Sequence, residues 1–119
     1  MLDETLRAVR SGSEGVRAVV LAGVDGVVVA STRGDAGDPA ADVLAASFAE
    51  LYRQVLAANR DAGLPVPEEV TLGGEGVTVA VRAVTADYLL LAVVAPPALP
   101  GRVRFELRRA AWRLRPELL

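Results

Sequence analysis

The sequence predicts an α/β domain of the α+β type, a three-layer sandwich around a central, mostly antiparallel five-stranded sheet. Three observations predict it. The 119 residues suffice for one domain with a core of its own. Short β-branched runs alternate with turn residues, and three other segments carry apolar residues at helical spacing. The elements follow the order αββαβββα, so we expect one domain over residues 1–119, with the long helix on one sheet face and the terminal helices on the other.

The first three elements are a short helix and a hairpin. Residues 2–11 have the spacing of an amphipathic helix, carried by Leu2, Leu6 and Val9. The runs 16–22 and 27–30 are β-branched and indicate strands. Asp25-Gly26 lies between them, and this dipeptide is typical of a tight hairpin because glycine adopts positive φ readily. We therefore interpret Asp25 as a turn residue rather than a ligand.

The long helix is predicted over residues 39–61, with Asp38 as N-cap and Pro39 at its first position. Its apolar arc covers about half the circumference, wider than one core-facing stripe requires. One stripe can cover the sheet and the other needs a second surface, either another copy of the chain, which we favour, or a neighbouring element of the same chain. The first stripe consists of Leu44, Phe48, Leu51 and Val55, the second of Ala45, Ala49, Tyr52 and Leu56, and the opposite arc of Asp42, Glu50, Arg53 and Arg60.

The second half predicts three strands and a helix. Residues 68–72 combine paired acids with a preceding proline, as edge strands do. A glycine-rich turn at 73–76 leads into a strand at 77–81, so it indicates a hairpin rather than a phosphate-binding loop, which would open a helix. Residues 89–95 are nearly all apolar and predict a central strand covered on both faces.

The last helix is predicted over residues 101–115, and its two sides differ in chemistry. Phe105 and Trp112 lie a heptad apart among arginines, opposite the core stripe. They form either a contact site or cation–π packing on the first helix, and the sequence leaves both open. The core stripe consists of Val103, Leu107, Ala110 and Leu114.

The composition excludes several classes of site. The chain has no His, Cys or Lys, which removes the imidazole base, the thiolate nucleophile, the Schiff-base amine and any disulfide. We expect no metal and no cofactor, because only hard oxygen ligands remain and Asp35, Asp38 and Asp42 lack the spacing of a calcium loop. All 13 basic residues are Arg, which fits a bacterial high-GC genome, a hot environment, or both.

The charge distribution and the N-terminal composition bear on partners and location. The formal net charge is −2, but residues 101–119 contain six of the arginines and only two acids. Nucleic acid is disfavoured as a partner by the absence of Lys and the acidity of residues 1–100. No apolar stretch reaches the ~20 residues of a membrane helix, and the N-terminal residues lack the composition of a signal peptide, so a cytoplasmic location is expected.

The pattern resembles the roadblock, or dynein light chain, family, including its bacterial MglB-like members. The residues that carry the likeness are "VVLAGVDGVVVAS" at 19–31, "LGGEGVTVAVRAVTADYLLLAVV" at 72–94 and "RFELRRAAWRLRPEL" at 104–118. The resemblance implies a homodimer in which long helices pair and third strands join the sheets. On this sequence the implied interface residues are Ala45, Phe48, Ala49, Tyr52, Val55, Leu56, Val70, Thr71 and Leu72.

The same resemblance implies a partner, a small Ras-like GTPase held on the surface that carries the paired helices. Glu50, Arg53 and Gln54 are then the expected contact residues, without a catalytic residue or an arginine finger. Some bacterial members of the family activate the GTPase by reshaping it, so the resemblance also implies a possible GTPase-activating role. Two other function classes stand beside this one. A profilin-like or PAS-like small-molecule sensor needs a pocket between sheet and helix, and an enzyme using carboxylate pairs would have to align Asp25, Asp35 or Asp87 across a cleft.

Overall fold

The chain folds as three helices and one five-stranded sheet. The computed structural model describes residues 2–33 and 39–119, with only the backbone of Arg33. The strand order is β2-β1-β5-β4-β3 and every neighbouring pair is antiparallel, which confirms the predicted fold class. The helices are α1 (Leu2–Ser11), α2 (Ala41–Asp61) and α3 (Pro100–Leu118), and the strands are β1 (Val16–Gly23), β2 (Val28–Arg33), β3 (Glu69–Gly74), β4 (Val77–Ala83) and β5 (Tyr88–Val94).

Two apolar clusters fill the space on either side of the sheet. The β5 side chains alternate between them: Leu90 and Ala92 face α1 and α3, whereas Leu89 and Leu91 face α2. Strand β5 lies between β1 and β4, so the predicted central strand is confirmed. Its near-continuous apolar sequence follows from burial on both faces, which leaves no position for a solvated side chain.

The turn between β1 and β2 is a tight hairpin, as predicted. Gly26 has a φ of 89°. The Asp25 carboxylate accepts a hydrogen bond from the Val27 amide at 3.1 Å, so this side chain stabilises the turn. An added Cβ at Gly26 would lie 3.2 Å from the Cα of Ala46 in α2. Glycine is therefore required by both the backbone conformation and the close approach of α2.

Several predicted element ends shift. Helix α2 begins at Ala41, and its N-cap is Ala40, which has extended backbone and no side-chain cap. The expectation of Pro39 as first helical residue is thus wrong, and the predicted cap Asp38 lies outside the described residues, as does Asp35. Strand β3 continues through Gly74, because Gly73 and Gly74 of the expected turn pair with β4 and only residues 75–76 form the turn.

Helix α3 is longer than predicted at both ends. Pro100 occupies the start of the helix, where a missing amide costs nothing. The helix then continues through Pro116 to Leu118. A proline this close to the C-terminus removes one of the last backbone hydrogen bonds while leaving the preceding turns intact. None of the helices in the described part of the chain combines the length and apolarity that crossing a bilayer requires.

Candidate functional site

The sheet-facing side of α2 is the stripe that the sequence analysis assigned to a second copy. Ala45 and Ala49 are fully buried and Tyr52 is 4 % exposed, all within the cluster between α2 and the sheet. Leu56 packs partly on the same cluster. Small alanines let the helix approach the strands closely, and Leu44 and Phe48 of the bulkier stripe pack on the same cluster beside them. The expectation that Tyr52 is free to contact a partner is therefore corrected, since it covers the chain's own sheet.

Tyr52 also connects α2 to the segment that precedes β3. Its hydroxyl donates a hydrogen bond to the carbonyl oxygen of Pro67 at 2.8 Å. Burial raises the pKa of the Tyr52 hydroxyl, because the apolar surroundings disfavour the phenolate. The side chain thus helps to fix where the chain enters the edge strand.

The other apolar stripe of α2 is only partly covered. Leu44 is buried and Phe48 is half-buried, and both pack on the α2-side cluster. Leu51 and Val55 are also half-buried, but they belong to neither apolar cluster. Leu51 and Val55, one turn apart, are therefore partly exposed apolar residues of α2, and Val43 near the start of the helix is 62 % exposed.

The predicted polar contact residues lie on the outer side of α2. Glu50 and Gln54 are exposed. Arg53 is exposed too, but its guanidinium donates a hydrogen bond to the carbonyl oxygen of Val24 in the β1–β2 turn. The structure thus brings the three together on one surface and gives Arg53 a structural bond in addition, which sequence reasoning did not anticipate.

The sheet beyond α2 exposes apolar side chains. Helix α2 packs over β1 and β2, so β3 and β4 are incompletely covered on that face. Val70 and Val79 are half-buried against the α2-side cluster, whereas Leu72 is 47 % and Val77 41 % exposed. Thr71 is exposed and by strand alternation points to the opposite face.

Strand β3 is the outer strand of the sheet, as its sequence predicted. It pairs with β4 on one side, and within the described chain no strand lies on its other side. An edge of this kind presents unpaired backbone donors and acceptors to any strand that approaches it. The exposed side chain of Leu72 therefore lies on the same strand as the unpaired backbone groups of the sheet edge.

The outer side of α3 borders an open groove of about 790 Å³ at the rim of the sheet. Phe105 and Trp112 are 56 % and 74 % exposed. The Arg109 guanidinium lies 5.8 Å from the centre of the Phe105 ring, so cation–π contact exists within α3 itself. Helix α1 instead meets the buried side of α3, through Leu6 and Val9. The alternative in which the aromatic pair packs on α1 is thereby wrong.

An ion-pair cluster joins α3 to β3 and β4. Glu69 accepts a hydrogen bond from the Arg104 Nε at 2.7 Å, and Arg82 lies 3.9 Å from the same carboxylate. The hydrogen bond and the charge of Glu69 raise the pKa of Arg104, which stays charged in any case. Glu68 also lies 3.6 Å from Arg82. Two carboxylates and two guanidinium groups therefore balance, and the cluster contributes little to the charge of the groove.

The described residues contain no group of three or more Asp or Glu side chains that could hold a metal ion. Asp25 and Asp87 lie in adjacent turns, joined by a 2.8 Å hydrogen bond from the Val24 amide to the Asp87 carbonyl. Asp25 already accepts the Val27 amide. Asp25 thus stabilises its own turn, and the exposed surfaces described above are apolar, aromatic or basic.

Comparison with known proteins agrees with this architecture. The family model for the Roadblock/LC7 domain matches residues 2–95. A Roadblock/LC7 domain from Streptomyces avermitilis superposes with a TM-score of 0.86 at 20 % identity, covering 98 % of this chain and 96 % of that one. MglB in a tetrameric arrangement gives 0.85 at 25 % identity, covering 95 % and 84 %.

A third solved structure, MglC from Myxococcus xanthus, superposes with a TM-score of 0.66 at 27 % identity, covering 96 % of each chain. A comparison with curated protein sequences found no significant match. The matched residues include both strands of the first hairpin, α2 and the three following strands, which carry the fold described above. The chain belongs to the Roadblock/LC7 domain family.

Proposed function

We propose that residues 1–119 act as one non-catalytic roadblock unit, a homodimeric interaction module that binds a small Ras-like GTPase and regulates or scaffolds it. The observation that carries the proposal is the open half of the sheet on the α2 side. There the exposed side chains of Leu72 and Val77 adjoin the free edge of β3. Membership of the Roadblock/LC7 family supports the same reading.

The proposed dimer uses two features of this open half. A second copy aligned along β3 would pair its own edge strand with the free backbone groups. Its α2 would then approach the uncovered face, where Leu72 and the half-buried pair Leu51 and Val55 lose water. Each large aliphatic side chain buried fully in this way contributes about 1.5–3 kcal/mol. MglB in a tetrameric arrangement shows that a relative of similar fold self-associates.

Burial within the chain changes the expected interface. Ala45, Ala49 and Tyr52 are buried between α2 and the sheet, so in the proposed dimer they position α2 and make no direct contact with the second copy. Direct contacts then fall to the more exposed residues of the predicted set. These are Phe48, Val55, Leu56, Val70, Thr71 and Leu72.

Dimerisation is tested by light scattering coupled to size-exclusion chromatography. Wild type at tens of micromolar should show about twice the chain mass of 12.4 kDa. Leu72→Asp should give the monomer mass, because a carboxylate at a dry contact would be desolvated. The matched control is Val43→Asp, which also changes an exposed aliphatic residue (62 % exposed) but is not among the expected interface residues. A monomeric wild type, or equal masses for both variants, would refute the proposed surface.

GTPase binding is tested with Ras-like GTPases from the same organism, each loaded with GDP or a non-hydrolysable GTP analogue. We expect binding that depends on the nucleotide state and weakens at least about tenfold in Glu50→Arg/Gln54→Arg, since two exposed contacts reverse or gain charge. The control is Arg60→Glu, on the same helix. Hydrolysis rates with and without the chain distinguish activation from tethering. Absence of binding in both states, with a retained small molecule in native mass spectra, would favour the sensor alternative instead.

A further inference from the structure

Helix α3 presents cationic side chains that the fold leaves without counter-charges. Arg108, Arg113 and Arg115 make no ion pair or hydrogen bond within the described residues, whereas Arg104 is bound to Glu69. Arg109 lies 3.9 Å from Glu106 and also stacks on Phe105. The chain as a whole is acidic, with a formal net charge of −2. The excess of positive charge is therefore local, and it is concentrated on one side of one helix.

The same side of α3 carries exposed aromatic rings. Trp112 is the chain's single tryptophan and is 74 % exposed, and Phe105 is 56 % exposed. Tryptophan, phenylalanine and arginine are residue types that are enriched at protein–protein interfaces. Seven helical residues separate the two rings, a rise of about 10 Å. This length equals about three residues of extended chain.

Both features border one groove rather than a flat surface. Its volume is about 790 Å³, and α3 forms one wall. The buried side chains of Val84 and Ala111 line its apolar base, and Pro67 and Glu68 lie on the opposite side. Glu68 is 3.6 Å from Arg82, so the groove's one acidic side chain is paired locally. The α3 arginines thus face a groove whose other charges already balance.

We propose that this α3 groove docks an acidic peptide segment of a partner protein, with aspartate or glutamate side chains on the arginines and an apolar side chain between the two aromatic rings. Arginine suits this role because its guanidinium binds carboxylates through paired hydrogen bonds and also stacks on rings. Helix α3 lies beyond residues 2–95, the part that the family model matches. The groove is lined by Tyr52 of α2 and by residues 66–68 before β3 as well as by α3, but not by Leu51, Val55 or Leu72. This proposal does not depend on GTPase binding.

The test uses the fluorescence of Trp112, which reports on the groove without a label. The probe is the synthetic peptide Glu-Asp-Leu-Glu-Asp-Phe-Glu-Asp, and its control has every Glu and Asp replaced by Gln and Asn. We expect a saturable change with the acidic peptide at roughly 10–500 µM and none with the amide control. Raising NaCl from about 50 to 500 mM should weaken binding at least about fivefold, because exposed charges are screened.

Matched charge reversals locate the binding. Arg108→Glu/Arg113→Glu should lower the affinity for the acidic peptide by at least about tenfold. Arg60→Glu/Arg102→Glu changes the net charge equally but lies outside the groove, and it should change the affinity less than about twofold. Far-UV circular dichroism and the thermal midpoint check that both variants fold. A groove variant that fails to fold is replaced by Arg108→Gln/Arg113→Gln, for which the same comparison holds.

Each other outcome decides against the proposal. No saturable change up to about 1 mM peptide would overturn it. Equal loss in the groove and control variants would mean that net charge alone attracts the peptide. Binding to vesicles of phosphatidylglycerol but not to the peptide would assign the surface to an anionic membrane. A change in oligomer mass in the groove variant alone would assign it to a second copy of this chain.

Discussion

The hydrogen bond between Tyr52 and Pro67 allows the correction on α2 to be tested quantitatively. Tyr52→Phe keeps the buried ring and removes only the hydroxyl that donates to the Pro67 carbonyl at 2.8 Å. A hydrogen bond of this kind contributes about 0.5–1.5 kcal/mol net. Pro67 is half-buried, so water can reach its carbonyl and the free energy of unfolding should fall by about 1 kcal/mol. For a domain of this size the thermal midpoint should fall by about 3–5 °C.

The pH dependence gives a second signature of the same residue. Burial raises the pKa of Tyr52 above its usual value. The contribution of the protonated Tyr52 hydroxyl to the free energy of unfolding is therefore complete below the pKa of about 10 that tyrosine has in the unfolded chain. It is lost as the pH rises through the higher pKa of Tyr52 in the folded chain. In Tyr52→Phe this loss is absent, so the stability difference between the wild type and the variant should narrow at alkaline pH.

The assay is urea unfolding followed by circular dichroism, in steps from pH 7 to pH 11. Tyr88→Phe is the matched control, because it removes the only other tyrosine hydroxyl, which has no hydrogen-bond partner among the described residues. Equal stability of Tyr52→Phe and wild type at pH 7 would refute the assignment of Tyr52 to the chain's own fold. A difference that stays constant up to pH 11 would refute its buried, protonated state.

Two further predictions test the packing that holds these surfaces in place. Gly15→Ala should destabilise the fold far more than Gly63→Ala, although both glycines have positive φ. An added Cβ at Gly15 would lie 2.1 Å from the Ala95 carbonyl oxygen, whereas one at Gly63 has no atom within 4 Å. Equal losses of thermal stability in the two variants would refute the steric argument. Glu69→Gln should cost less than about 1 kcal/mol in urea unfolding, because its partner Arg104 is half exposed and water screens the pair; a larger loss would mean that the ion pair holds α3 in place.

The element order could be predicted from the sequence because local signals agree with each other. Asp25-Gly26 forms the predicted turn, and the β-branched runs on either side pair as β1 and β2. The apolar sequence of β5 matched its central place. The ends of α2 and β3 were less predictable, since Ala40 caps α2 without a side-chain bond and Gly73 fits a strand as well as a turn.

The inward face of α2 could not be predicted because both stripes were apolar and hydropathy alone does not rank them. In the structure the inward arc takes in residues of both stripes, since Leu44 and Phe48 pack on the same cluster as Ala45 and Ala49. Ala45 and Ala49 allow the helix to lie close to β1, while the bulkier Leu51 and Val55 remain at its side. The hydrogen bond from Arg53 to Val24 was also invisible, because it joins residues 29 positions apart through a turn whose position depends on the whole sheet.

The position of α2 relocates the apolar surplus from the helix to the sheet. The sequence suggested that a wide helix needs a second surface, but the inward residues of α2 pack mainly over β1 and β2 and share their cluster with buried side chains of β4 and β5. On this face of the sheet Leu72 of β3 and Val77 of β4 stay exposed, and Leu51 and Val55 of α2 are half-buried. A partner that covered α2 alone would leave Leu72 and Val77 exposed to solvent, whereas one aligned along β3 would cover these side chains and the side of α2. The edge strand, more than the helix, thus determines which arrangement of two copies can bury this surface.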